Sequence, residues 1–270
     1  PVLPFPPQSA ATNTLKPHPS RTLAGQRRIS RGHILFENGT AMPGAFRLVE
    51  GEIVIMRRGM AIDLIEAGTV TVELAAWMIE RIEKGRSFLV GSKPGGAGKT
   101  TIMGAFLSLL PPNEKVWLTD NATPWREQSG AGNCLVAYEI SPGNYHAYVW
   151  GQAVRDMLQI AATGARVVTN LHADTLDQAR EQIVNDNGVR PVLFEQFDTF
   201  LGIDVGHGLR GTRRIVRRVD YFEDGDWRQW LSGTPLSTRG NAIRDFLEYL
   251  RSKGINRLED VRREWLRLPE

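Results

Sequence analysis

The run Lys93-Pro94-Gly95-Gly96-Ala97-Gly98-Lys99-Thr100, with Thr101 behind it, has the residue types of a loop that grips phosphate. Glycines let successive backbone N–H groups turn inward around an anion. A lysine then reaches the outer phosphate oxygens, and a hydroxyl on the next residue joins the shell of a Mg²⁺ ion. Gly95, Gly96, Ala97, Gly98, Lys99, Thr100 and Thr101 are therefore the candidate nucleotide-binding residues, with ATP and Mg²⁺ as the expected ligands. Lys93 stands where such loops ordinarily begin with glycine, but the context agrees: an apolar run, Ser87 to Gly91, precedes the loop and a helical pattern follows it.

Hydrolysis needs an acid that organises metal and water as well as a phosphate cradle. Glu139 follows the apolar run Cys134 to Tyr138, and Asp120 ends the run Lys115 to Thr119 with Asn121 beside it. A carboxylate at the C-terminal end of a central strand faces the phosphate site of such a sheet, so both compete for the catalytic place. Glu139 is expected to hold Mg²⁺ partly through water. His172, within Thr169 to Thr175 after a further apolar run, is a candidate for catalysis or sensing as well as for a structural loop histidine.

These residues need strands and helices at set places. Ile34-Leu35-Phe36, Phe46 to Val49 and Glu52 to Met56, punctuated by Asn38-Gly39 and further glycines, predict a small antiparallel β unit over residues 33–68. From Thr71, an N-cap candidate, Val72, Ala75, Ala76, Ile79 and Ile82 recur on one helical face up to Gly85. Strands at Ser87–Gly91, Lys115–Thr119, Cys134–Tyr138 and Ala165–Thr169, separated by helices or long loops, predict a parallel sheet covered on both faces. A basic hairpin over Arg213–Tyr221 and Trp227–Leu231 should turn at Asp224-Gly225. Two closing helices follow, the first with Ile243, Phe246, Leu247 and Leu250 in line, the second capped by Asn256 with Glu259 three residues on.

The formal charge of +3 conceals an uneven distribution: residues 1–36 carry five basic and no acidic groups, 37–208 carry 14 basic and 20 acidic, and 209–270 carry 14 basic and 10 acidic. The basic ends read as docking surfaces for a subunit, an adapter or an anionic membrane face. Acids interspersed in the tail argue against a nucleic-acid footprint. The one cysteine, Cys134, rules out an intrachain disulfide and reads as a buried small hydrophobe in a reducing compartment. The most apolar stretch, Ala61 to Ile79, is broken by Asp63, Glu66 and Glu73 and does not read as a membrane span. Six prolines in the first thirty residues and no apolar h-region suggest a flexible or polyproline arm rather than a secretory signal.

In order, Gly98-Lys99-Thr100-Thr101, Leu110-Pro111-Pro112-Asn113-Glu114-Lys115 with the strand to Asp120, Glu139, Asp156 to Gly164, and Thr169 to Thr175 resemble the secretion and pilus motor ATPases of type II and type IV systems and their archaeal relatives. The likeness covers about residues 71–222. It implies a RecA-like α/β fold, Lys99 and Thr100 on phosphate and Mg²⁺, Glu139 as the Walker B glutamate, Asp120 or Asn121 in an acidic box and His172 in a histidine box. It departs from the family at Asp120-Asn121, where a pair of acids is usual, and at Ile140 to Gly143, where an Arg-Gly is usual; Pro142 to Tyr148 reads as an insertion.

The resemblance further implies a homohexamer whose neighbours lend arginines to each other's nucleotide, with Arg126, Arg155, Arg210 and Arg213 as candidates. Arg213-Arg214 and Arg217-Arg218 read equally as a solvated strand face. The expected division is an arm over 1–32, a β-rich unit over 33–70, a RecA-like core over 71–222 and a hairpin end with C-terminal helices over 223–270. A cytoplasmic motor at the inner face of a membrane, with a membrane partner, is the leading expectation. A dimeric nucleotide switch and a nucleic-acid or partner-binding module are the alternatives.

Overall fold

The computed structural model describes residues 46–49, 52–55, 60–111, 114–119, 129–143, 148–208 and 211–269. The expected first strand and its Asn38-Gly39 turn, and the proline-rich arm, lie outside these residues. Strand β1 (Phe46–Val49) pairs antiparallel with β2 (Glu52–Ile55), Val49 opposite Glu52, as the alternation predicts. Ala61–Glu66, expected as part of the strand unit, instead forms a helix, α1. Its six residues are too few for a helical period to show. The Asp63 carboxylate takes the Met60 N–H at 3.0 Å, closing the first turn while Ile62, Leu64 and Ile65 enter the core.

Helix α2 (Val72–Glu83) begins where expected: the Thr71 hydroxyl accepts from Leu74 N–H at 3.1 Å, and the chain leaves the helix at Gly85 with φ 76°. Then come β3 (Phe88–Gly91), α3 (Lys99–Leu107), β4 (Lys115–Thr119) and β5 (Asn133–Ala137). Two short strands, β6 (Glu139–Ile140) and β7 (Tyr148–Val149), precede α4 (Gln152–Ala161) and β8 (Arg166–Leu171). Helix α5 (Leu176–Arg180) runs on as a π-helical turn, Glu181–Asp186, and α6 is Pro191–Phe194. Strands β9 (Thr199–Gly208), β10 (Gly211–Glu223) and β11 (Asp226–Gln229) lead to α7 (Thr238–Ser252) and α8 (Leu258–Trp265).

The main sheet runs β11-β10-β9-β3-β8-β5-β4, with β6 joined to β8 and β7. The five strands from β9 to β4 are mutually parallel, while β10 and β11 extend one edge antiparallel. Strand β8 lies between β3, which feeds the loop, and β5, which leads to Glu139. That is the strand order of a RecA-like core. Alternation sorts the side chains: Phe88, Val90, Val136, Val168, Leu201 and Ile203 pack with α1, α2, α3, α7 and α8, while Leu89, Leu135, Val167, Leu171 and Phe200 pack with α4, α5 and α6.

The hairpin turns at Asp224 (φ 54°) and Gly225 (φ 82°), a pair of left-handed residues suited to a tight two-residue connection. Helix α8 starts one residue later than expected, with Arg257 rather than Asn256 at the cap position and no side-chain cap bond. Cys134 is fully buried and its thiol is pushed well up by that burial. Among the described residues no helix is long and apolar enough to cross a membrane.

Candidate active site

Strand β3 ends at Gly91, where a Cβ would meet Ala173 O at 2.3 Å and the Phe200 ring at 2.5 Å. Glycine there lets the strand close down between β8 and β9 directly under the loop. Ser92 Oγ then donates to Ile203 O at 3.0 Å, and Lys93 N–H donates to Asp174 Oδ1 at 2.7 Å, so strand β9 and the segment after β8 hold the loop's first two residues. Gly96 (φ 72°) and Gly98 (φ 90°) take left-handed conformations that turn the loop into the N-terminus of α3, where unpaired N–H groups and the helix dipole favour an anion.

Lys99 is the first residue of α3 and is buried. Its Nζ lies 3.0 Å from Ser92 O, 3.3 Å from His172 Nδ1 and 3.7 Å from Glu139 Oε2. Burial lowers the Lys99 pKa, opposed chiefly by Glu139 and then Asp174. Glu139 begins β6, just past the bend at Tyr138 that ends β5, and its carboxylate is 8% exposed. His172 Nε2 is 2.9 Å from Glu139 Oε1, and Nδ1 is 2.9 Å from Lys93 O. The Nδ1 contact with Lys93 O is a hydrogen bond, whereas Glu139 Oε1 makes none, so Nε2 lies beside the carboxylate by proximity alone. The geometry thus brings Lys99, Glu139 and His172 into one cluster at the C-terminal edge of the sheet.

Two residues given no role in the sequence reading complete the floor of the site. Asn170, on β8 and fully buried, donates from Nδ2 to Tyr138 O at 2.9 Å and to Thr100 Oγ1 at 3.3 Å. The Tyr138 carbonyl fixes the amide's orientation, because the flipped group would set oxygen against oxygen. Asp174, whose carboxylate accepts from Lys93 N–H, in turn donates its own backbone N–H to Gln178 Oε1 at 2.9 Å. Alternation along β8 is the signal for Asn170: Val168 is buried on the α3 face, and Asn170 is two residues on.

Asp120, Asn121, Arg126 and Arg210 lie outside the described residues. Arg155 is not turned toward the cluster: its guanidinium binds Asn187 O and Gln152 Oε1, tying α4 to the end of the π-helical turn. Arg213 is exposed on β10. Its neighbour Arg214 reaches the loop instead, donating from Nε to Gly96 O at 3.1 Å.

No cluster of three or more His, Cys, Asp or Glu side chains suited to a metal exists among the described residues. A metal here would take the Thr100 hydroxyl and the Glu139 carboxylate and draw its other ligands from water and phosphate. That donor set fits Mg²⁺, which keeps several waters and is held by few protein oxygens. Asn170 donates to Thr100 Oγ1 and leaves that oxygen a lone pair for the ion.

No family model matches the chain, and neither does any curated protein sequence. Among solved structures it is similar to the VirB11 ATPase from the Brucella suis type IV secretion system, determined in complex with sulphate, at 18% identity and TM-score 0.38, with 60% of this chain and 54% of that one covered. It is also similar to the Legionella pneumophila ATPase DotB, at 14% identity and TM-score 0.42, with 77% of this chain and 64% of that one covered. The chain therefore spans little more than half of the first and under two thirds of the second. The assignment of a RecA-like α/β core rests on the strand order and on the loop between β3 and α3.

Proposed function

We propose that this chain is an ATPase, and that its hydrolysis drives an oligomeric motor of the secretion or pilus-assembly kind. The observation that carries the first part is the meeting of Lys99, Thr100 and Glu139 where β3 and β5 end, with a glycine loop opening onto a helix N-terminus. In this reading the backbone N–H groups of Gly95 to Thr101 cradle the phosphates. Lys99 leaves Ser92 O and Glu139 for a terminal phosphate oxygen. Thr100, with Glu139 through water, would hold Mg²⁺, which would supply positive charge to the phosphates.

Glu139, freed from Lys99, holds the attacking water and takes its proton, while His172 orients the carboxylate from the outer side through Nε2. Asn170 keeps the Thr100 hydroxyl and the Tyr138 peptide in fixed relation. Replacing Glu139 by Gln tests the assignment: ATP binding should persist and kcat should fall by about 10²–10⁴-fold, the range for a lost general base. Normal turnover in that variant would remove Glu139 from the mechanism.

The motor role rests on the ordered motifs between residues 71 and 222, and with it go a hexamer, a membrane partner at the cytoplasmic face, and the basic arm of residues 1–36 and basic tail from 209 as attachment segments. Sedimentation with ATP and Mg²⁺ is the test. Rings near six subunits support it, and dimers would point to a nucleotide switch.

A further inference from the structure

We propose that Arg214 is a positioning residue that fixes the phosphate loop from within the same chain. The inference rests on the nucleotide-binding reading of that loop.

Strand β3 makes its last rung with β9 at Gly91 opposite Gly202, yet β9 continues to Gly208 and β10 returns from Gly211. Beyond that rung the pair runs on as a two-stranded ribbon beside the loop, tied to the rest of the domain where Val216 N–H donates to Thr69 O at 2.8 Å. Arg217 is the extra residue of a bulge at this level, since Val216 pairs with Ile203 and Arg218 with Gly202. The bulge decides which arginine meets the loop. Val219 and Val216 are three residues apart, and in a regular strand they would face opposite sides; both are buried in the core on the α3 side. Counting on from Val216 places Arg214, not Arg213, on that side.

Arg214 uses this placement fully. Its Nε–H bond to Gly96 O is 3.1 Å, and its Cδ lies 3.2 Å from where a Cβ of Gly98 would be, so the stem lies along the loop where a side chain at 98 would stand. Gly96 and Gly98 are the two left-handed residues that give the loop its curvature. A donor fixed to the carbonyl of the first, and an aliphatic stem across the second, restrict the peptide rotations that would flatten the cradle. The bond is made to a loop carbonyl and not to one of the N–H groups that would face phosphate.

Hydrogen exchange of the ligand-free protein and steady-state kinetics test the proposal together on the Arg214→Ala and Arg214→Lys variants of the full chain. Arg214→Ala should speed amide exchange in the peptide spanning Ser92–Lys99 without changing β3 or β8. It should also raise KM for ATP by about five- to tenfold with kcat within about twofold, the effect of one lost charge-assisted bond. Arg214→Lys, which keeps a cationic donor, should recover most of both losses.

Unchanged exchange and unchanged KM in Arg214→Ala would make Arg214 a solvated strand residue and overturn the proposal. A fall in kcat at constant KM would overturn it too, by making Arg214 a transition-state contact. So would Arg214→Lys behaving like Arg214→Ala. If the parent chain bound no ATP, or Lys99→Ala bound it equally well, the nucleotide reading would fail while the exchange measurement still decided whether Arg214 fixes the loop.

Discussion

The two ends of strand β3 carry buried charges whose partners differ in number and closeness. At its N-terminal end Arg81 donates to Thr199 Oγ1 at 3.0 Å, Asp198 O at 3.3 Å and Phe222 O at 3.4 Å, and lies over the Trp77 and Tyr221 rings at 4.9 and 5.3 Å. Asp198 accepts from Ser87 N–H and from Arg86, both at 3.0 Å. Arg166 pairs with Glu114 at 2.7 and 2.9 Å and donates to Ile82 O at 2.6 Å. Burial lowers the Arg81 pKa and raises those of Asp198 and Glu114.

At the other end, Lys99 and Glu139 sit 3.7 Å apart and share one histidine with a loop carbonyl. The first end meets its charges mostly within the chain, although Nε and Nη1 of the buried Arg166 make no hydrogen bond. The second holds charges whose partners are distant or shared, which is the condition for a ligand to supply what the fold has not.

The contrast predicts separable effects. Lys99→Ala should lose about 100-fold or more in ATP affinity, as judged by titration with a fluorescent nucleotide, because the one buried cation of the cradle is gone. Its melting temperature should stay within about 2 °C of the parent. A large fall in melting temperature would mean that the Lys99–Glu139 pair is part of the scaffold after all.

Arg166→Ala should do the reverse, costing about 3–5 kcal/mol of stability by stranding Glu114, with ATP affinity of the folded protein unchanged. Denaturant unfolding measures it, and a loss under about 1 kcal/mol would erase the distinction between the two ends. Thr71→Ala removes a single helix cap and should cost about 1 kcal/mol. The smallest effect concerns Cys134, opposite Arg166 at the base of β5, whose thiol is buried and pushed up in pKa. It should not react with a thiol reagent at pH 8 until the protein unfolds, and rapid labelling of the native chain would show that the base is not sealed.

The legible parts of this fold are those where period and punctuation agree. Thr71 and Gly85 bracket α2, and β4 matches its apolar run residue for residue. The site's cluster of Lys99, Glu139 and His172 was legible because each ends or follows an apolar strand. Strand β9 was not: Gly202, Asp204, Gly206 and His207 interrupt its pattern, since only its first half is buried in the sheet and the rest is ribbon.

Asn170 lies inside the Thr169–Thr175 motif without a role of its own there, and acquires one by lying across from Thr100, a contact 70 residues away in sequence. Arg214 was hidden by parity. Read as a regular strand, Val219 pointing inward puts Arg213 on the loop side, and nothing in the sequence announces the extra residue at Arg217.

That extra residue makes β10 unusual in how it would respond to a change of length. Deleting Ile215 would carry Arg214 to the opposite side of the ribbon. Deleting Arg217 would leave Arg214, Val216 and Val219 all facing as they do now, with Val216 still opposite Ile203 and Arg218 opposite Gly202. The strand thus has one dispensable position, and its loss would straighten the ribbon without exchanging a single inward side chain. A shortened chain of this kind would isolate the bend of the ribbon from the identity of the residue that the bend presents.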